Sequence, residues 1–163
     1  MSRSLLIFLG AALIASSCSD IKSKTLFKAD LKEKGDLMTL TYAPKMKFKE
    51  IIDSADIFLE PDDFSWILGG PIKKGAQITS NEKFSMRIFL FENYADLNAK
   101  YKMVLRTFSP DMKIIDSYIV ANTAGEVLCD GYITKGLKVF KNCEDGTEYV
   151  VTVNEYGEFE TEE

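Results

Sequence analysis

From residue 83 to residue 153 the chain alternates short apolar runs with turn-forming residues. Residues 83–91 (KFSMRIFLF) finish apolar on both faces, as a strand in the middle of a sheet would. Residues 100–108 (KYKMVLRTF) place Tyr101, Met103 and Leu105 on one face, and residues 114–121 (IIDSYIVA) read as the next strand. Further strands are predicted over 126–133, 137–143 and 147–153. Turns fall at 95–99, at Ser109-Pro110-Asp111, at Asn122 to Gly125, at Thr134-Lys135-Gly136 and at Glu144-Asp145-Gly146. Proline presets φ for the first corner of such a turn. Turn signals recurring every ~10–15 residues between short strands predict an antiparallel meander.

The pattern is less regular upstream. Residues 37–43 (LMTLTYA) have the β-enriched types of a strand, whereas residues 45–53 (KMKFKEIID) space Met46, Ile51 and Ile52 unevenly and predict a short helix. Residues 58–60 look extended and end at Pro61. Asp62 can then cap a helical turn running through Trp66, which Gly69-Gly70-Pro71 terminates. Residues 19–36 are lysine-rich with few large apolar side chains, and read as a tether. The expected fold is mainly β: a single antiparallel meander sheet, sandwich or small open barrel, with one or two short helices. The expected domain occupies 37–157, with 18–36 as tether and 158–163 as an acidic tail.

Composition narrows the chemistry. A length of 163 residues with 46% apolar residues suits one globular domain. The chain has no histidine, which removes Ser-His-Asp and Cys-His nucleophiles and imidazole-based metal sites. A net charge of −5 argues against nucleic acid as a partner, because phosphate binding needs a basic surface. The chain has no P-loop, no G-x-G-x-x-G and no G-x-S-x-G.

At the amino end, Arg3 precedes an uncharged run, Leu5 to Ala15, which is shorter than the roughly 20 residues that span a bilayer. Ala15, Ser16 and Ser17 then lead to Cys18. This stretch resembles the signal of bacterial lipoproteins, whose lipobox places small residues before a cysteine. The resemblance covers residues 1–18, and departs from the commonest pattern in having Ala15 where leucine is usual. It implies cleavage between Ser17 and Cys18, lipid attachment at Cys18, and anchoring in the outer membrane, since Ser19 is not the aspartate that retains such proteins on the inner one. It leaves open whether the domain faces the periplasm or the outside. An ordinary secretory signal, with Cys18 incidental, is the alternative. In a lipidated chain the lysines of the tether, Lys22, Lys24 and Lys28, are placed to meet anionic headgroups, or else simply to be solvated.

With Cys18 lipidated, Cys129 and Cys143 remain as a pair. A three-residue loop centred on Gly136 puts Ile133 opposite Val139 and Cys129 opposite Cys143. Val127, Cys129, Ile133, Val139 and Cys143 then share one face of a hairpin. A cross-strand disulfide is the expectation; two reduced, buried thiols are the alternative. No C-x-x-C is present, which favours a structural bond over a redox one.

Glu60, Asp62 and Asp63 are the densest acidic group before the tail, and lack the order of a calcium loop. They read as a solvated cap, not a metal site. Trp66, the only tryptophan, reads as a core plug rather than a ligand platform. From Lys141 to Glu163 the chain holds eight acids and one lysine, the composition of a solvated, partly frayed end. No catalytic residue, metal or cofactor is implied. The sequence therefore favours a lipid-anchored envelope protein, non-enzymatic, that binds a ligand, a glycan or another envelope protein. The alternative is a carboxylate-dependent hydrolase acting on glycans.

Overall fold

The computed structural model describes residues 25–34, 37–43, 45, 47–51, 57–63, 66, 69–94 and 100–162. Among these, eleven strands form one mainly antiparallel sheet: β1 (Thr25–Lys34), β2 (Leu37–Ala43), β3 (Lys49–Ile51), β4 (Ile72–Ser80), β5 (Ser85–Asn93), β6 (Lys100–Phe108), β7 (Ile114–Asn122), β8 (Cys129–Thr134), β9 (Lys138–Cys143), β10 (Glu148–Val153) and β11 (Phe159–Thr161). One 3₁₀ turn, Pro61–Asp63, precedes β4. From β3 to β11 each strand pairs with its sequence neighbour, so this part is the predicted meander. The sheet is open and does not close into a barrel.

The meander almost breaks between β7 and β8, which share only the pair Asn122 and Cys129. Beyond that point β8 pairs with β1 instead, Phe27 opposite Ile133 and Ala29 opposite Gly131. The sheet bends back here, and strands from both halves contribute to one core. Met86, Ile88, Leu90, Met103, Leu105 and Val120 share it with Phe27, Ile133, Val139, Val151 and Val153. Gly131 permits the bend. A Cβ at that position would lie 2.3 Å from the Phe140 carbonyl oxygen and 2.6 Å from that of Val120, closer than any real side chain tolerates.

β5 and β6 are buried on their other face as well. Phe89, Phe91, Val104 and Phe108 form a second apolar layer with Ile72, covered by Ile51, Phe58, Leu59, Trp66 and Ile114. This explains the apolar run of 83–91: β5 is a central strand with no solvated face along most of its length.

Four hairpins turn alike. In the turns after β6, β8, β9 and β10, the third of three tip residues (110–112, 135–137, 144–146 and 155–157) donates its N–H to the carbonyl three residues back: Met112 to Ser109, Leu137 to Thr134, Gly146 to Cys143 and Gly157 to Asn154. Each of these four residues is left-handed, with φ of 63°, 59°, 86° and 94° respectively. Such a three-residue loop follows the right-handed twist of the flanking strands.

Several expectations need correction. Much of the expected tether is β1: Phe27 and Ala29 have no solvent exposure, and Lys28 and Asp30 point the other way and pair with each other. The alternation Phe27, Ala29, Leu31 against Lys28, Asp30, Lys32 is a strand pattern that the lysine content obscured. The fold therefore includes Thr25 onward rather than starting at residue 37. Of the span 45–53, where a helix was expected, the described residues 45 and 47–51 are not helical, and Lys49–Ile51 is an edge strand paired with β4. β4 itself was not anticipated, because Lys73, Lys74, Gly75 and Gln77 dilute its apolar signal and its register with β5 shifts twice. The acidic end is not frayed: Phe159–Thr161 pairs with Val151–Val153, and the Phe159 ring lies 5.5 Å from that of Tyr118.

Candidate functional site

The sequence pairs Cys129 with Cys143, and the structure joins them. They lie directly opposite in the β8–β9 ladder, with Cα atoms 4.1 Å apart and a disulfide between them, and Ile133 faces Val139 as the register argument required. Cys18, the expected lipid attachment point, and the rest of residues 1–24 lie outside the described residues.

The acidic group at 60–63 has a different role from the solvated cap expected of it. Asp63 is 3% exposed, and Arg106 on β6 is 1% exposed. Their burial is mutual. The Arg106 Nε donates to the Ser117 hydroxyl at 2.8 Å, Nη1 donates to the Phe58 carbonyl at 2.6 Å and to Asp63 Oδ2 at 2.9 Å, and Nη2 donates to Glu60 Oε2 at 2.8 Å and Asp63 Oδ1 at 3.3 Å. All five guanidinium N–H donors are used. Asp63 Oδ2 also accepts from the backbone N–H of Glu60 at 2.8 Å, which closes the 3₁₀ turn on itself. One buried cation thus straps the segment 57–63 across the second face of β5 and β6. Asp62 stays exposed.

The sequence does carry a signal for Arg106. On β6 it shares a face with Val104 and Phe108, both apolar, so a strand in that phase must carry the arginine inward. An inward arginine requires a carboxylate. Asp63, lying 43 residues away, is identifiable only after the chain folds.

Beside this hub, Lys102 stands over the rings of Phe91, at 4.3 Å, and Trp66, at 4.7 Å. Burial pushes its ammonium pKa down, the Asp63 charge opposes that, and neighbouring Arg106 adds to it. Trp66 packs edge-on against Phe91, so it is the core plug the sequence suggested, with the Lys102 ammonium over its ring.

A second polar cluster sits at the far end of β5. Glu92, 7% exposed, accepts from the Lys73 ammonium at 2.6 Å and from the Tyr94 hydroxyl at 2.7 Å. The bond to Glu92 holds the Tyr94 proton, with burial and the Glu92 charge adding to it, and pushes that phenol up to about 12.

Chemically, both clusters are charge-compensated. Glu60 and Asp63 are fixed on Arg106, and Glu92 lies between an ammonium and a phenol. Among the described residues no group of three or more acids or cysteines is arranged to hold a metal ion. No family model, curated protein or solved structure matches the chain.

Proposed function

We propose that this chain is a lipid-anchored cell-envelope protein that acts by binding, not by catalysis. The observation that carries this reading is the disulfide between Cys129 and Cys143. Such bonds persist in oxidising compartments outside the cytoplasm and are rare within it. That location agrees with the leader-like residues 1–17 and with Cys18 as the acylated residue. Several acyl chains, at about 0.8 kcal/mol per buried CH₂, make a durable anchor where one chain does not. The engagement of Glu60 and Asp63 by Arg106 supports binding over glycan hydrolysis, since the densest carboxylates are held as structural counter-ions.

The test is metabolic labelling with a fatty acid in a bacterial host that processes lipoproteins. Label should enter the wild type and not Cys18→Ala. Equal labelling of the two would overturn the anchor. Pull-down of the lipidated protein from envelope fractions, compared with the unlipidated fragment starting at Ser19, then identifies the ligand or partner.

A further inference from the structure

Strand direction fixes the end of the sheet from which the amino-terminal segment leaves. Thr25 opens β1 opposite Thr134 at the end of β8. The preceding chain therefore enters at the end that carries the loops 81–84, 109–113, 135–137 and 154–158. Contacts between them show that these loops gather there: Lys83 pairs with Glu155, the Thr107 hydroxyl donates to the Gly157 carbonyl, and the Phe159 N–H donates to Asp116. The opposite end carries the loops 123–128 and 144–147, tied by the disulfide and by the Glu144 N–H donating to the Leu128 carbonyl.

The two ends differ in charge. The near end mixes Lys83, Lys113 and Lys135 with Glu82, Asp111, Glu155 and Glu158, and it exposes Tyr156 at 60%, with the Lys83 ammonium over its ring. The loops 123–128 and 144–147 carry Glu126, Glu144 and Asp145 and no base.

Only residues 19–24 separate Cys18 from Thr25, at most about 25 Å of fully extended chain. A nine-residue strand such as β6 is itself about 30 Å long. The geometry points to one orientation on the membrane, which rests on the lipid-anchor reading of Cys18: the near-end loops bearing Lys83, Lys113, Lys135 and Tyr156 lie against anionic lipid headgroups, and the acidic end at 126 and 144–145 projects away from the bilayer. The short linker cannot bring the far end down without turning the domain over. An anionic surface resists that turn, because the loops 123–128 and 144–147 would present Glu126, Glu144 and Asp145 to it, with Lys100 at the start of β6 beside them. Tyrosine beside a cation is the side chain suited to the headgroup layer.

The experiment places the lipidated mature protein in nanodiscs of phosphatidylethanolamine and phosphatidylglycerol, with a fraction of headgroups carrying a gadolinium chelate, and reads backbone amide intensities by NMR. Mass spectrometry of the same sample first reports whether Cys18 carries lipid. Amides at 82–83, 110–112, 135–136 and 155–157 should lose intensity several-fold, and those at 126 and 144–146 should be nearly unaffected. With lipid present, the reverse gradient, uniform loss, or loss along one side of the sheet would overturn the orientation alone. An unmodified Cys18 would overturn the anchor and the orientation together.

Discussion

Replacing Arg106 with methionine keeps most of the side-chain volume and removes the guanidinium. Five hydrogen bonds are lost at once, and the structure indicates which of them matter. Glu60 is 36% exposed and can turn to water, so its loss counts for under ~1 kcal/mol. Asp63, with a side chain 4% exposed, cannot, and an uncompensated buried carboxylate costs about 3–5 kcal/mol. A domain of this size has on the order of 5–15 kcal/mol of net stability, so Arg106→Met should lose about a fifth of it or more. Urea unfolding followed by far-ultraviolet dichroism and by the fluorescence of Trp66, the only tryptophan, measures this. Trp66 lies just beyond the strapped turn, so a strap that lifts without global unfolding appears in the fluorescence alone. Adding Asp63→Asn to Arg106→Met should restore part of the loss, with a coupling of about 2 kcal/mol between the two sites. A loss below ~1 kcal/mol for Arg106→Met, or no coupling to Asp63, would refute the strap as the element holding 57–63 in place.

Reduction of the disulfide, or Cys143→Ser with Cys129→Ser, should lower stability by about 2–3 kcal/mol, since the bond closes a loop of 14 residues' separation; an unchanged urea midpoint contradicts this. Deleting residues 158–163 should cost about 2 kcal/mol through lost burial of Phe159 against Tyr118, and a melting temperature equal to that of the full chain would show that β11 contributes nothing. Tyr94 binds its proton more tightly folded, at about 12, than unfolded, at about 10, so its contribution is intact below the unfolded value and is lost as pH climbs through the folded one. Tyr94→Phe should therefore flatten the alkaline fall in stability and remove a late phenolate from the ultraviolet titration; an identical titration means that Glu92 does not hold the proton.

The meander was legible because its information is local. Alternation, turn residues and one register argument suffice for β5 to β10, and the same arithmetic placed the two thiols face to face. What escaped is the non-local part. β1 pairs with β8 across more than a hundred residues, so nothing near Phe27 announces its partner, and its lysines made a buried strand look like a linker. β4 is obscured by its lysines, which take partners within the fold: the Lys74 ammonium stands over the Phe58 ring and Lys73 pairs with Glu92. The candidate sites were less legible still. Asp63 looked like one more surface acid because its meaning depends on a guanidinium delivered by another strand.

The dependence of β1 on β8 also sets an order of events. The hairpins from β5 to β11 close loops of a few residues, and such contacts form early and cheaply. β1 can pair with β2 as soon as both are made, but its docking to Gly131 and Ile133 closes a loop more than a hundred residues long. A chain synthesised amino end first must therefore hold Phe27 and Ala29 away from their final neighbours until residue 133 has emerged. The domain cannot complete its core while its carboxyl third is missing. The slowest conformational phase on refolding should then be the arrival of the β1–β2 ribbon, not the assembly of the meander.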